Sequence, residues 1–238
     1  MIITVVYDNH PFDNKLETGW GFSCLLSGFE KTILFDTGPD GPSLLRNMRK
    51  LAIAPESIDV VVLSHIHNDH TGGLESFLQK NPNVCIYLLK PFPEEFKDNI
   101  RACGAKMVEV EQSLEICGDV YSTGWLGRRI KEQALAIRTK KGVIVITGCA
   151  HPGIVNIVNK AKDLLRGDIF LVMGGFHLEW SLAGNIEKSI SAFRRLNVQY
   201  VAPCHCTSQK AKHLFDEHFS EKYIDIGAGK IITIADLK

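Results

Sequence analysis

The densest concentration of reactive side chains lies in the segment Ser64–Gly73, which reads SHIHNDHTGG. His65 and His67 are two residues apart, so on an extended backbone both imidazoles point to one side and can bind one metal ion. Asp69 and His70 follow in the next turn and can reach a second ion. Imidazole and carboxylate ligands suit zinc, iron and manganese, whose bound water ionises near neutral pH. We prefer this interpretation to a solvated loop without an ion, and we expect the two glycines to allow a close backbone approach.

Three further apolar runs also end in histidine. They are GVIVITGCAH ending at His151, DIFLVMGGFH ending at His177 and VQYVAPCHC around His205, while a shorter run, KTILF, stops at Asp36. Six of the nine histidines therefore lie at or just past the end of an apolar run. Because binding groups in α/β proteins gather beyond the carboxyl ends of buried strands, we expect these side chains to converge at one edge.

The elements that must position these residues are strands and helices mixed along the whole chain. The run at 58–63 is β-branched without alternation, which indicates a strand covered on both faces. The predicted strands are Ile2–Tyr7, Gly21–Leu26, Lys31–Phe35, Ile58–Leu63, Val84–Leu88, Leu135–Thr139, Val143–Thr147, Ile169–Met173 and Gln199–Ala202. The predicted helices are Ser43–Leu51, Leu74–Gln79, Glu94–Cys103, Ile154–Leu165 and Asn185–Leu196. We expect helices packed on sheet, with early hairpins.

Composition excludes several classes of protein. The 238 residues carry 27 Lys+Arg against 27 Asp+Glu without a basic block, so the electrostatic footprint of a nucleic-acid binder is missing. No apolar run approaches the roughly 18–20 residues that span a bilayer, and the N-terminus does not have the pattern of a signal peptide. Seven scattered cysteines argue for a reducing compartment. We expect one cytoplasmic domain over residues 1–238, with no nucleic-acid or membrane partner.

The HxHxDH motif followed by strand-end histidines resembles the metallo-β-lactamase fold superfamily. The likeness covers the whole chain, and it is closest to a branch of metal-dependent hydrolases that includes dihydropterin-type synthases of methanopterin biosynthesis. The segments that carry it are GFS (21–23), LFDTG (34–38), SHIHNDHTGGL (64–74), EQAL (132–135), TGCAHPGIVNI (147–157), GGFHL (174–178) and CHCT (204–207). The resemblance implies an α+β fold, a four-layer αββα sandwich with a metal site along one edge.

The resemblance also implies roles for individual residues. One ion would be bound by His65, His67 and His151, and the other by Asp69, His70 and His205. Asp36 would orient a ligand histidine by accepting its other N–H; the alternative is a turn carboxylate that caps its own backbone.

The sequence departs from the family at the carboxylate that normally bridges the two ions, because that strand runs into Gly174-Gly175-Phe176-His177. His177 could replace the bridging carboxylate as a ligand, lie behind the ligands, or donate a proton to the leaving group. Asp69 and His177 are the catalytic candidates.

A competing interpretation assigns Cys149, Cys204 and Cys206 to a thiolate zinc site with His151 and His205. Structural zinc sites use paired ligands two to four residues apart, and this spacing supplies no such pairs, so we favour buried thiols beside the metal.

Four residues are candidates for binding a substrate. Trp20, Phe22 and Trp125 could line a pocket for a flat molecule, although aromatic residues are more often core. Arg128, beside Arg129, could receive a phosphate group, and an ordinary solvated turn is the alternative.

These residues together indicate a hydrolase with one or two divalent ions, zinc first and iron, manganese or magnesium as alternatives. A metal-bound hydroxide would attack an ester, lactone or phosphoester of a small, anionic substrate. Two other functions stay open: a transferase that joins a dihydropterin diphosphate to an aryl ribose phosphate, and a non-catalytic metal sensor or redox module. The sequence does not specify an oligomeric state.

Overall fold

The structure is a computed structural model that describes residues 1–238. The chain divides into two compact units, residues 1–111 with 227–238, and residues 112–226. The expectation of a single domain stays a prediction. None of the helices is both long enough and apolar enough to cross a lipid bilayer.

The first unit is built on a mixed sheet of seven strands in the order β13-β1-β2-β3-β4-β5-β6. Its strands are β1 (Ile2–Tyr7), β2 (Ser23–Ser27), β3 (Ile33–Phe35), β4 (Val60–Val62), β5 (Cys85–Leu89), β6 (Lys106–Val110) and β13 (Ile231–Thr233). Its helices are α1 (Gly41–Lys50), α2 (Asn68–Thr71), α3 (Leu74–Leu78) and α4 (Glu94–Ala102). The pairs from β13 to β3 are antiparallel, which gives the expected early hairpins, and those from β3 to β6 are parallel.

The switch from antiparallel to parallel pairing at β3 places the loops that follow β3 and β4 side by side. β3 and β4 consist only of buried apolar residues, as expected for strands covered on both faces. In their parallel register Phe35 pairs with Val62. Asp36 and Ser64, which follow these strands, therefore leave the sheet at the same edge.

The second unit is built on a six-stranded sheet in the order β12-β11-β10-β9-β8-β7. Its strands are β7 (Leu114–Cys117), β8 (Val120–Ser122), β9 (Leu135–Thr139), β10 (Gly142–Thr147), β11 (Ile169–Gly175) and β12 (Tyr200–Cys204). Its helices are α5 (Ile154–Leu165), α6 (Ala183–Arg195) and α7 (Gln209–Phe219). β10, β11 and β12 are parallel neighbours, with Thr147 opposite Gly174 and Gly175 opposite Cys204. Their three carboxyl ends, each followed by a candidate histidine, lie along one edge.

The core of the second unit contains an aromatic cluster directly after β11. Phe176 packs edge-on against Phe193 of α6 at 5.7 Å and Phe215 of α7 at 5.4 Å between ring centroids. Edge-to-face pairs of this kind stabilise beyond the area that they bury. The cluster anchors the backbone immediately before His177.

The predicted elements are all present, with boundaries that agree within two residues, and six strands and α-helices were missed. The missed elements are α2, β6, β7, β8, α7 and β13. β6 has only one fully buried residue and β7 and β8 have four and three residues, so their apolar pattern is too weak or too short to stand out. α7 reads QKAKHLFDEHF, and its polar composition hides three buried positions.

Candidate metal centre

The first unit brings together the imidazoles of His65, His67 and His70. His65 Nε2 lies 3.1 Å from His67 Nδ1, and the rings of His65 and His70 are 4.3 Å apart between centroids. Asp69 Oδ2 lies 3.4 Å from His70 Nε2. We call these four residues the histidine group. Three imidazoles and a carboxylate this close together are the donor set of a zinc-type ion, so the residues fit the metal that the sequence implies.

Asp36 orients two rings of the histidine group through hydrogen bonds, His70 directly and His65 through Ser64. Its side chain is fully buried, and its Oδ2 accepts hydrogen bonds from His70 Nδ1 and from Ser64 Oγ, each at 2.7 Å. Because Ser64 donates to Asp36, its Oγ is left to accept from His65 Nδ1 at 2.9 Å. Both rings thus have Nδ1 engaged and turn Nε2 towards the group, which is how a carboxylate orients ligand imidazoles. Asp36 Oδ1 also accepts the backbone N–H of Ser64 at 2.7 Å.

His70 has an unusual protonation equilibrium. Burial disfavours the charged ring, but the charge and hydrogen bonds of Asp36 and Asp69 outweigh it and raise the pKa of His70 to about 10. A metal ion that binds Nε2 has to displace a proton from this ring, so metal affinity at His70 falls as the pH falls.

Gly72 and Gly73 meet the backbone of the segment after β3, as expected. A Cβ at Gly72 would lie 2.0 Å from Pro39 O, and one at Gly73 would lie 2.1 Å from Thr37 O. The Thr37 N–H in turn donates to His70 O at 2.7 Å. These contacts allow no side chain at either glycine and tie α2 to the loop that carries Asp36.

The second unit gathers a group of thiols and imidazoles at the carboxyl edge of its parallel strands. The rings of His151 and His177 lie 4.4 Å apart between centroids. The donor atoms of Cys149, His177 and Cys206 all lie within 4.8 Å of one another. His205 is buried at the end of β12, next to Cys206.

Glu132 is a residue of this edge to which sequence reasoning assigned no role. Its fully buried carboxylate accepts three backbone N–H groups, Cys149 and Ala150 at Oε1 and His151 at Oε2, each at 2.8 Å. The segment EQAL contains Glu132, but only the hydrogen bonds to residues 149–151 in the folded structure show what its side chain does.

Left-handed backbone conformations mark these strand ends. Asp36, Ala150, His177 and His205 have φ of 58°, 63°, 54° and 47°. A non-glycine residue in this region is uncommon and costs free energy, which surrounding structure must offset. The sharp turns redirect the chain as each strand leaves its sheet.

Cys206 and His177 shift one another's ionisation. Burial opposes the thiolate, but hydrogen bonds from Cys149 and His177 and the charge of His205 hold the pKa of Cys206 well below its usual range. The hydrogen bond to Cys206 raises the pKa of His177. The two pKa values therefore shift in opposite directions, as expected for a thiol that lies beside an imidazole.

The preference for buried thiols over cysteine ligands stays a prediction, but this grouping removes the spacing argument behind it. Cys149 and Cys206 follow different strands and are 57 residues apart in sequence, and Cys206 Sγ donates to Cys149 O at 3.3 Å. Parallel neighbours β10, β11 and β12 bring them together, so spacing along the chain does not limit them. Cys204 is also buried, at the last position of β12.

Among the substrate-binding candidates, Arg128 lies with Arg129 and His151 on a cavity of about 760 Å³ in the second unit. Trp125 is half-buried, with Lys131 Nζ 5.3 Å from its ring centroid. Trp20 is 50% exposed.

Phe22 requires a correction, because it is a core residue rather than part of an open pocket. It has no exposed surface and packs edge-on against Phe35 at 6.5 Å.

Comparisons with known proteins agree with this architecture. The sequence profile described as "Metallo-beta-lactamase superfamily" matches residues 21–205. The chain belongs to this superfamily. A relative from Methanocaldococcus jannaschii, named 7,8-dihydropterin-6-methyl-4-(β-D-ribofuranosyl)-aminobenzene-5′-phosphate synthase, is 30% identical over 97% of this chain and 95% of its own.

Solved structures support the same conclusion and confirm the predicted fold class. The crystal structure of Tm1679, a metal-dependent hydrolase of the β-lactamase superfamily, has a TM-score of 0.82 and 32% identity, covering 98% of this chain and 99% of that one. The metallo-β-lactamase fold protein YhfI from Bacillus subtilis has a TM-score of 0.71 at 14% identity, covering 97% and 98%, which shows the fold alone. The fold implies divalent metal binding. Which of the candidate histidines bind each ion stays a prediction.

Proposed function

We propose that this protein is a metal-dependent hydrolase that cleaves an ester or phosphoester bond in a small anionic molecule. The observation that carries the proposal is the cavity that His151 shares with Arg128 and Arg129. Guanidinium groups bind phosphate oxygens in a planar, bidentate geometry. Because the predicted metal ligand His151 lies on the same cavity, a phosphate bound by the arginines would lie close to the metal ion.

The donors assigned to the ion are the residues of the histidine group. A divalent ion held there would polarise the scissile group and lower the pKa of a water molecule. His65 and His70 keep Nε2 directed at the group because Ser64 and Asp36 engage their Nδ1 atoms.

The reaction adds water across the scissile bond. The water oxygen forms a bond to phosphorus or to the carbonyl carbon, the bond to the leaving oxygen breaks, and that oxygen takes up a proton. Asp69 is the candidate for accepting the proton of the water, because its carboxylate is partly exposed whereas His65 and His70 are buried. The arginines hold the anionic part of the substrate and do not enter the bond changes.

The test is a panel of para-nitrophenyl phosphate, bis-para-nitrophenyl phosphate and para-nitrophenyl acetate with protein loaded with zinc or manganese. We expect turnover of at least one of them, its loss on treatment with a chelator, and a loss of at least about 1,000-fold in His67→Ala, comparable to the removal of other central catalytic groups. His218→Ala in α7 is the matched control and should retain activity. Turnover that survives His67→Ala, or no turnover by metal-loaded protein, would contradict the proposal.

A second candidate is transfer rather than hydrolysis, which the 30% identity to the Methanocaldococcus jannaschii synthase favours. In that reaction a dihydropterin diphosphate would lose pyrophosphate, and its methylene carbon would form a bond to the aryl ribose phosphate, which releases a proton. Arg128 and Arg129 would then bind a phosphate of either reactant. Incubating the metal-loaded protein with both reactants and measuring coupled product and pyrophosphate separates the two: product at one pyrophosphate per bond supports transfer, and its absence excludes it.

A further inference from the structure

The second unit contains three potential metal ligands that the histidine group does not include. They are Cys149 after β10, His177 after β11 and Cys206 after β12, and their donor atoms all lie within 4.8 Å of one another. We propose that Cys149, His177 and Cys206 form a thiolate site for a soft or borderline cation of the Zn²⁺ and Cd²⁺ class. The proposal goes beyond hydrolysis and does not depend on it.

The donor chemistry selects the cation. Two sulfur atoms and one imidazole nitrogen prefer thiophilic ions, whereas the imidazoles and carboxylate of the histidine group also suit harder ions such as manganese. Two cysteines and one histidine are a known zinc ligand set that leaves a fourth position open. The two groups therefore differ in which ions they prefer.

Backbone contacts position the three donors before an ion arrives. The buried carboxylate of Glu132 accepts the N–H of Cys149 at 2.8 Å, and Cys206 O accepts the N–H of Leu178 at 3.0 Å. The second contact ties the loop of His177 to that of Cys206. Preorganised ligands lower the entropic cost of binding.

Gly175 leaves the room that Cys206 Sγ occupies. A Cβ at this position would lie 2.4 Å from Gly148 O, 2.7 Å from Cys206 Sγ and 3.2 Å from Cys149 Cα. A side chain at Gly175 would therefore displace the thiol of Cys206.

An ion can reach these donors from solvent. Cys149 and Cys206 are buried, with 4% and 3% exposure, while His177 is exposed. None of the seven cysteines, Cys149 and Cys206 included, forms a disulfide. The imidazole therefore forms the accessible side of the site, with the sulfur atoms beneath it.

The experiment is a titration of the full chain with CdCl₂, followed by the near-ultraviolet thiolate-to-cadmium absorption band and by equilibrium dialysis. It uses the His67→Ala/Asp69→Asn background, in which the histidine group is disabled. We expect one cadmium ion per chain with a full thiolate band. Each of three substitutions should weaken cadmium binding by more than about 100-fold: Cys149→Ser, Cys206→Ser and His177→Asn. Removing a residue that only hydrogen-bonds to a ligand lowers metal affinity by roughly 10–100-fold, so the larger loss identifies a ligand.

Two features keep the result interpretable. Asparagine tolerates the left-handed backbone at His177, φ 54°, so His177→Asn removes the imidazole without adding backbone strain. Cys103→Ser, a half-buried thiol of the first unit, and His218→Asn are matched controls that should leave the band unchanged. A band that persists in both Cys206→Ser and His177→Asn, or that is absent from the background protein, overturns the site. Because absorbance and dialysis do not require turnover, a failed hydrolase assay does not affect this outcome.

Discussion

The carboxylate of Glu132 accepts the backbone N–H of His151 at 2.8 Å, although the two residues are 19 positions apart in sequence. The same carboxylate binds the N–H groups of Cys149 and Ala150, so one buried side chain sets the course of the whole turn after β10. A buried anion bonded in this way has its charge satisfied by the backbone itself. The turn that presents a predicted metal ligand therefore depends on a residue that precedes β9.

Replacing Glu132 with glutamine should destabilise the protein and loosen this turn. The amide supplies only one acceptor oxygen and turns a donor towards backbone N–H groups, so we expect a loss of about 1–3 kcal/mol in the free energy of unfolding. Urea denaturation measures it. The control is Glu187→Gln on the exposed surface of α6, expected to change stability by less than about 0.5 kcal/mol. Equal effects of the two substitutions would contradict the role of Glu132.

Asp36→Asn should weaken metal binding more than it weakens the fold. Asparagine keeps the size of the side chain but removes the charge that holds Nδ1–H of His70. Loss of such a partner typically lowers metal affinity by about 10–100-fold. Competition with a chromophoric zinc chelator measures the dissociation constant, and Asp163→Asn, on the exposed side of α5, is the control. An unchanged zinc affinity in folded Asp36→Asn would show that the contact does not orient a ligand.

The double variant Arg128→Ala/Arg129→Ala should discriminate between substrates. If the cavity binds an anionic group, KM for the phosphoester that the protein cleaves should rise about tenfold or more, which corresponds to roughly 1.4 kcal/mol. KM for a neutral ester should stay the same, and kcat should change little for either. Arg195→Ala, also exposed, on α6, is the control. A uniform loss on charged and neutral substrates would mean that the arginines support the loop rather than bind substrate.

The ion pair between Glu17 and Arg46 should make stability depend on pH in the acid range. Arg46 donates Nη2 to Glu17 Oε2 at 2.7 Å and Nε to Oε1, and hydrogen bonding to Arg46 lowers the pKa of Glu17 to about 2. Because the pKa of Glu17 is lower in the folded state, the ion pair stabilises the fold above the unfolded-state pKa near 4.5. This stabilisation is lost as the pH falls towards 2. Both side chains are partly exposed, so screening by solvent keeps the contribution at pH 7 small.

A double-mutant cycle of Glu17→Gln and Arg46→Met isolates this contribution. The coupling energy, measured by urea denaturation, should be greatest at neutral pH and shrink steadily below about pH 4.5, near the reference pKa of glutamate. A coupling energy that is constant between pH 7 and pH 3 would show that this ion pair does not cause the pH dependence of stability.

Phe176→Ala should be among the more destabilising single substitutions in the second unit. The ring is buried against Phe193 and Phe215, and its removal leaves a cavity that costs about 3–5 kcal/mol. Phe12→Ala, a half-exposed ring, should cost far less. Thermal unfolding gives the comparison, and similar losses in the two variants would argue against the cluster as an anchor for the loop of His177.

Local sequence pattern predicted the histidine group because its members are neighbours along the chain. His65, His67 and His70 fall within six residues, and the conformation that brings them together is a strand exit followed by one helical turn. The apolar runs that end at His151, His177 and His205 were also sufficient to predict β10, β11 and β12, because buried parallel strands need continuous apolar sequence.

Contacts between segments that are far apart in sequence could not be predicted from local sequence pattern. The amino-acid sequence by itself determined which histidines are the metal-ligand candidates and that strands end beside them. Only the tertiary structure decided that Glu132 binds the turn at 149–151 and that Cys149 meets Cys206 across 57 residues. The physical reason is that strand order and register select these partners, and both depend on packing over a whole sheet rather than on any local pattern.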